Sequence, residues 1–227
     1  MTAPMTAPTT AGRGRPRGES DARQLLIAAA RHQFAQRPFD AVSTRALATE
    51  AGVDAALIRY YFRSKAGLFE QMLRETLEPV LTRLADKAPA RAQDGLETLM
   101  RTYYRIMVPN PGVPRLIQRV LHDDPQTESY RILQGIFEEI LTVSMGWLQT
   151  ILVDSGHMRK ELDPKLARLS FVSLMVFPLV APPLLITSSG LSMSEADIDR
   201  LVTHNVDILQ RALLRHTESE TETEHTS

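Results

Sequence analysis

Apolar side chains recur along most of this chain at intervals of three and four residues, the spacing that lines one face of an α-helix. In the run DARQLLIAAARHQFAQ, Leu26, Ala30 and Phe34 stand four apart with Ile27 beside them. Arg37-Pro38-Phe39 breaks that helix, since proline disfavours a helical residue before it and donates no hydrogen bond. Ser43 then stands where an N-cap belongs, ahead of the short run TRALATEA, which stops at Gly52. Asp54 caps a second short run, AALIRYYF, and Ser64 a long one, KAGLFEQMLRETLEPVLTRLADK. Two short helices joined through a glycine and wedged between longer ones form the pattern of a helix-turn-helix unit. Further helices are expected near 93–107, 113–122, 126–154, 164–186 and 195–215, with breaks at Pro109 and Pro111, Pro125, Gly156 and Ser188–Gly190. With no strand run and no repeat, the expected fold class is all-α, with about nine helices.

Composition bounds the partners. The 227 residues are 43% hydrophobic, enough for a core, and hold no cysteine, which excludes a disulfide scaffold, a thiolate metal site and a cysteine nucleophile. The net charge is only −1. Residues 1–65, however, carry ten basic and five acidic side chains, an excess of five positive charges. The remaining 16 basic and 22 acidic residues leave six negative charges on the rest. A basic front on an acidic body points to a polyanion partner for the front alone. The domain reading follows: a basic arm over 1–18 without apolar periodicity, a DNA-binding domain over 19–65 with its motif near 43–62, a helical regulatory and dimerisation body over 66–216, and an acidic tail over 217–227. The N-terminus has no apolar signal-like region, which fits a cytoplasmic location.

The stretch Arg23–Phe69 resembles the DNA-binding domain of the TetR (tetracycline-repressor) family of transcriptional regulators. The resemblance rests on Leu26-Ile27, Ala29-Ala30 and Phe34, then Phe39, Ser43, Leu47-Ala48 and Ala51-Gly52-Val53, and finally Ile58, Tyr61-Phe62, Ser64-Lys65 and Leu68-Phe69. Three positions depart from the family pattern: Pro38 replaces the usual Gly, Ala56 takes the usual small or Gly position, and Arg59 replaces a frequent Tyr. The resemblance implies a ligand-released repressor that binds a palindromic double-stranded operator as a homodimer. The second short helix, near 54–60, would enter the major groove. Ala55 and Leu57 offer apolar contact to thymine methyls, while Arg59, Tyr60 and Tyr61 bring donors for phosphates or, for Arg59, guanine. Ser43, Thr44 and Arg45 open a helix whose free N–H groups suit phosphate. Lys65 takes the place of a phosphate-binding lysine in the family. The plainer alternatives are that the two tyrosines pack and that Lys65 is solvated. Arg13-Gly14-Arg15-Pro16 looks like an AT-hook core, suited to a narrow A·T-rich minor groove.

The body carries no signature of comparable sharpness. A small, largely apolar effector would be lined by aromatic and Met side chains: Tyr103, Tyr104 and Met107, then Phe137, Met145 and Trp147, then Phe171, Met175 and Phe177. Arg119 and His122 are the polar candidates. In the last helix Ile198, Leu201, Val202, Asn205, Ile208, Leu209, Ala212 and Leu213 form a stripe that suits either a core or a dimer seam. His122-Asp123-Asp124 lacks the i, i+4 spacing of a metal pair, so no metal is expected. No cofactor and no catalytic motif are expected either, and the chain reads as a non-enzyme. Leu169–Ser194 holds no charge in 26 positions. This raises a membrane-associated or lipid-binding alternative, which Pro178, Pro182 and Pro183 oppose. A non-specific architectural DNA protein using the arm is the other alternative.

Overall fold

The computed structural model describes residues 19–85, 92–154 and 156–214, so the arm with Arg13 and Arg15 and the acidic tail lie outside the described residues. Ten α-helices occupy the rest: α1 (Glu19–Gln36), α2 (Thr44–Ala51), α3 (Ala56–Phe62), α4 (Lys65–Ala85), α5 (Ala92–Met107), α6 (Gly112–Leu121), α7 (Glu128–Leu148), α8 (Pro164–Val180), α9 (Pro183–Ser188) and α10 (Glu195–Leu213). Among the described residues the only extended pairing is one isolated bridge between Met158 and Leu214. The chain is all-α, with an N-terminal helix-turn-helix domain.

The helix starts follow from side chains that accept orphan backbone N–H groups. Ser43 Oγ accepts from Ala46 N at 3.1 Å, Asp54 Oδ1 from Ala56 N at 2.7 Å and Ser64 Oγ from Gly67 N at 3.0 Å. Gly52 closes α2 in the left-handed region, with φ 66°. The buried face of α1 meets α2, α3 and α4 around three phenylalanines, with ring centroids of Phe34 and Phe69 4.9 Å apart, Phe39 and Phe69 5.2 Å apart and Phe34 and Phe39 5.6 Å apart. Helix α4 then runs on from this domain to pack against α5 and α7. Arg23 of α1 pairs with Glu75 of α4, and Arg31 Nε donates to Thr76 Oγ1 at 3.3 Å. Burial pushes the Glu75 carboxyl up, but bonds from Arg23 and Gln71 outweigh it and hold the group below its ordinary value.

Two expected helices are revised. The span expected at 126–154 leaves α-geometry after Leu148 and continues as a π-helical turn, Gln149–Asp154. The single helix expected over 164–186 is two, α8 and α9, which raises nine helices to ten. The break falls at Ala181, extended at φ −59° and ψ 152° because Pro182 follows it. Pro178, in contrast, stays inside α8. It cannot donate to the Leu174 carbonyl four residues back. The buried Asn205 of α10 supplies the missing donor, Nδ2 to Leu174 O at 3.0 Å, and Tyr104 OH approaches the same oxygen at 3.5 Å. Helices α8 and α10 are thereby keyed together. Among the described residues no helix is long and apolar enough to cross a membrane.

This pairing predicts a coupled mutant cycle. Asn205→Ala should cost about 1–3 kcal/mol in urea unfolding, because a buried carbonyl loses its partner. In a Pro178→Ala background, where the helix regains its own donor, the same change should cost less than half as much. Equal costs in both backgrounds would contradict the pairing.

Candidate functional site

The apolar positions of helix α3 decide which of its faces stays outside. Ile58 and Phe62 point into the core, with Leu57 and Tyr61 half-buried beside them. Ala55, Ala56, Arg59, Tyr60 and Arg63 are left on the outer face, and Tyr60 is 68% exposed. Tyr60 packs edge-on against Tyr61 with ring centroids 4.8 Å apart. At the start of α2, Ser43, Thr44 and Arg45 are also exposed. The exposed residues of α3 and the start of α2 present guanidinium groups, hydroxyls and free helix-terminal N–H groups, the set that meets phosphates and base edges. Of the residues singled out from the sequence, Leu57 and Tyr61 are the least available, since both lean on the core.

Lys65 has a task inside the domain. Its Nζ donates to Phe39 O at 2.9 Å and to Val42 O at 3.1 Å, and lies 4.1 Å from the Phe39 ring centroid. Two of its three N–H groups thus hold the 3₁₀ turn Phe39–Ala41 against the start of α4. That turn sets the entry into α2.

Below this domain lies a cavity of about 300 Å³. Five helices wall it: α4 with Leu77, α5 with Tyr103, α6 with Ile117 and Leu121, α7 with Phe137 and Trp147, and α8 with Phe171 and Met175. The lining is almost entirely apolar, with Gln118, His122, Ser144 and Arg168 as polar exceptions. Burial pushes the Tyr103 phenol well above its ordinary pKa, so it remains a neutral hydroxyl. Among the described residues no group of three metal-ligating side chains occurs.

Of the effector-lining residues expected from the sequence, Tyr103, His122, Phe137, Phe171 and Met175 are brought together on this cavity, as is Trp147. Tyr104 and Met107 are buried in the core instead, Met145 is half-buried off the wall and Phe177 is exposed. Arg119 points the other way. Its Nη2 donates to Phe34 O at 2.6 Å and to Arg37 O at 3.1 Å, and Nη1 reaches Ala35 O at 3.5 Å. It satisfies the free carbonyls at the end of α1, where a cation also complements the helix dipole. The same helix crossing is tight: a Cβ on Gly112 would lie 2.4 Å from Ala35 Cβ. Sequence reasoning passed over most of the aliphatic lining, Gln118, Ser144 and the one arginine, Arg168. As the cation before an uncharged run it resembles any helix-end arginine, and only the packing shows what it faces.

The bonds of Lys65 predict a stability effect. Lys65→Ala should lower unfolding free energy by about 2 kcal/mol, the scale of losing a charged donor from two carbonyls. A loss below about 0.5 kcal/mol in the same denaturant titration would show that the ammonium does not hold the turn.

Comparison with known proteins supports the fold and the N-terminal domain. Residues 26–72 match the model of the bacterial regulatory proteins of the tetR family. The HTH-type transcriptional repressor KstR2 of Rhodococcus jostii (strain RHA1) is 26% identical over 154 residues, 66% of this chain and 74% of that protein. The fold superposes on the regulator FadR from Bacillus subtilis, crystallised in complex with stearoyl-CoA, with a TM-score of 0.64 at 19% identity, covering 82% of this chain and 96% of that one. It also superposes on KstR2 of Mycobacterium tuberculosis, a ketosteroid transcriptional regulator, with a TM-score of 0.62 at 16% identity over 85% and 95% of the two chains. Over residues 26–72 the chain carries the helix-turn-helix domain of the bacterial regulatory proteins of the tetR family.

Proposed function

We propose that this DNA-binding regulator is a homodimeric repressor that sits on an inverted-repeat operator and is released by a small, largely apolar effector in the cavity of the body. The observation that carries the reading is the double role of α6. One flank of this helix, with Ile117 and Leu121, forms cavity wall, and Arg119 between them clasps the last carbonyls of α1. An occupant that shifts α6 therefore shifts the reading domain. A ligand that binds the shifted state better moves the population off DNA.

On the DNA side, Arg59 and Tyr60 face the major groove, with Ala55 and Leu57 giving apolar contact to bases. Ser43, Thr44, Arg45 and Tyr61 meet phosphates, and Lys65 adds its charge through the N–H that the turn leaves over. Arg13 and Arg15 of the arm would follow the neighbouring minor groove. Two such readers are held one helical turn of DNA apart by a two-fold interface. Support for that interface is the apolar face left uncovered in the single chain: Leu166, Leu169 and Phe177 of α8, Leu184 of α9 and Ile208 of α10. The α10 stripe divides accordingly, with Val202, Leu209 and Leu213 inward and Ile208 and Ala212 outward. Large apolar side chains left exposed on three successive helices suit an interaction site. The likeness of fold to a regulator crystallised with stearoyl-CoA is in keeping with an apolar effector.

The test is selection of bound duplexes from a random library, followed by anisotropy titration. An inverted repeat bound by two chains is expected, at least 100-fold tighter than random duplex at moderate salt. Arg59→Ala should weaken that site at least tenfold and lower the slope of log affinity against log salt by at most about one. Equal affinity for selected and random duplex would overturn the reading.

A further inference from the structure

The corner between α3 and α4 carries a cost that the fold itself does not offset. Arg63 stands there with φ 67° and ψ −36°, and Ser64 N donates back to Phe62 O at 2.8 Å. This is close to a γ-turn of the strained kind, which crowds a β-carbon and which glycine meets freely. Among the described residues only Arg63 and Met193 hold a positive φ without being glycine. The corner has no room to relax. Arg63 N donates to Arg59 O at 3.1 Å, Ser64 Oγ accepts from Gly67 N at 3.0 Å, and a Cβ on Gly67 would collide with the Phe62 carbonyl. The positive angle is therefore imposed by the way α4 folds back on α3, and an arginine occupies it.

The side chain held at this angle gives the fold no polar contact. Arg63 is exposed, and among the described residues its guanidinium has no ion pair and no hydrogen bond. Arg23, Arg74 and Arg101, by contrast, are bound to carboxylates of neighbouring helices. Arg59 stands four residues earlier, exposed and likewise unpaired, and like charges at that spacing repel. The dipole of α3 favours a cation at its end, but Arg59 in the last turn already meets it. Backbone strain of this kind is kept where function uses it. We propose that Arg63 is an anchor for the DNA backbone, its guanidinium taking a phosphate at the edge of the groove, and that the strained corner persists for this contact. The proposal rests on the reading of the outer face of α3 as the DNA interface and adds a residue that reads no sequence. The N-terminal residues of such a helix meet base edges, so its C-terminal end, past Arg59 and Tyr60, lies toward the strand. There a guanidinium fork matches two phosphate oxygens at once.

Substitutions at this one position separate strain from charge. Arg63→Gly and Arg63→Ala both remove the cation, and only glycine relieves the corner. In the full chain the Gly variant should therefore melt about 2–4 °C above the Ala variant, and no lower than the unaltered protein. Both variants should weaken DNA binding at least about threefold, by the same factor for the selected and the random duplex. The slope of log affinity against log salt should fall by about one in each, and Arg63→Lys should keep it. Affinity within twofold of the unaltered chain on both duplexes, with the slope unchanged, would overturn the anchor and leave the operator reading standing. A loss confined to the selected duplex would also overturn it, since the guanidinium would then be reading bases. Equal melting temperatures for the Gly and Ala variants would overturn the claim that strain is held for this contact. An unaltered chain that binds neither duplex would overturn the anchor and the operator reading together.

Discussion

The end of α1 is the constraint on which the arrangement turns. A helix that stops inside a protein leaves carbonyls without donors, and here three of them, on Phe34, Ala35 and Arg37, are answered by one guanidinium from α6. A cation at a partly buried helix C-terminus is worth up to about 2 kcal/mol. Its position matters more than its size. Phe34 also belongs to the aromatic cluster that seats α2 and α3, so the clasp acts on the reader's core rather than on a surface loop. Helix α6 can come this close because Gly112 leaves room for Ala35.

The body supplies the counterweight. Its far side is fixed by Asn205, which answers the carbonyl freed by Pro178 and so ties α10 to α8. Its near side is lined by side chains that leave a cavity open. A flank tied by a hydrogen bond, a flank that lines a cavity and a helix shared with the reader are the parts on which the proposed release rests.

Much of this was legible in the chain because the signals are local. Ser43, Asp54 and Ser64 cap their helices through bonds spanning two or three residues, and Gly52 closes α2 with a backbone angle that glycine adopts freely. The outer face of α3 follows from the two buried apolar positions. What stayed hidden depends on partners far along the chain. Pro178 and Pro182 both stand inside the single helix expected over 164–186; Asn205 lets the helix run through the first, and the break falls just before the second. Tyr103 and Tyr104 are equivalent in sequence, yet a rotation of about 100° along the helix puts one on the cavity and the other in the core. Lys65 and Arg119 read from the sequence as contacts to ligands, and the bonds each also makes to backbone carbonyls of the reader, from partners 23 to 85 residues away, are not legible there.

The α6 clasp would set the reader's orientation on the body, and a distance between the two reads this directly. The chain has no cysteine, so Thr49→Cys on α2 and Glu138→Cys on α7 carry spin labels at those two places alone. Electron–electron double resonance, with labelled chains diluted into unlabelled ones, then reads one distance distribution between reader and body. The clasp predicts a single narrow distance in the unaltered background, and a broadened or shifted distribution when Arg119→Gln is added. An unchanged narrow distribution in that variant would contradict the account.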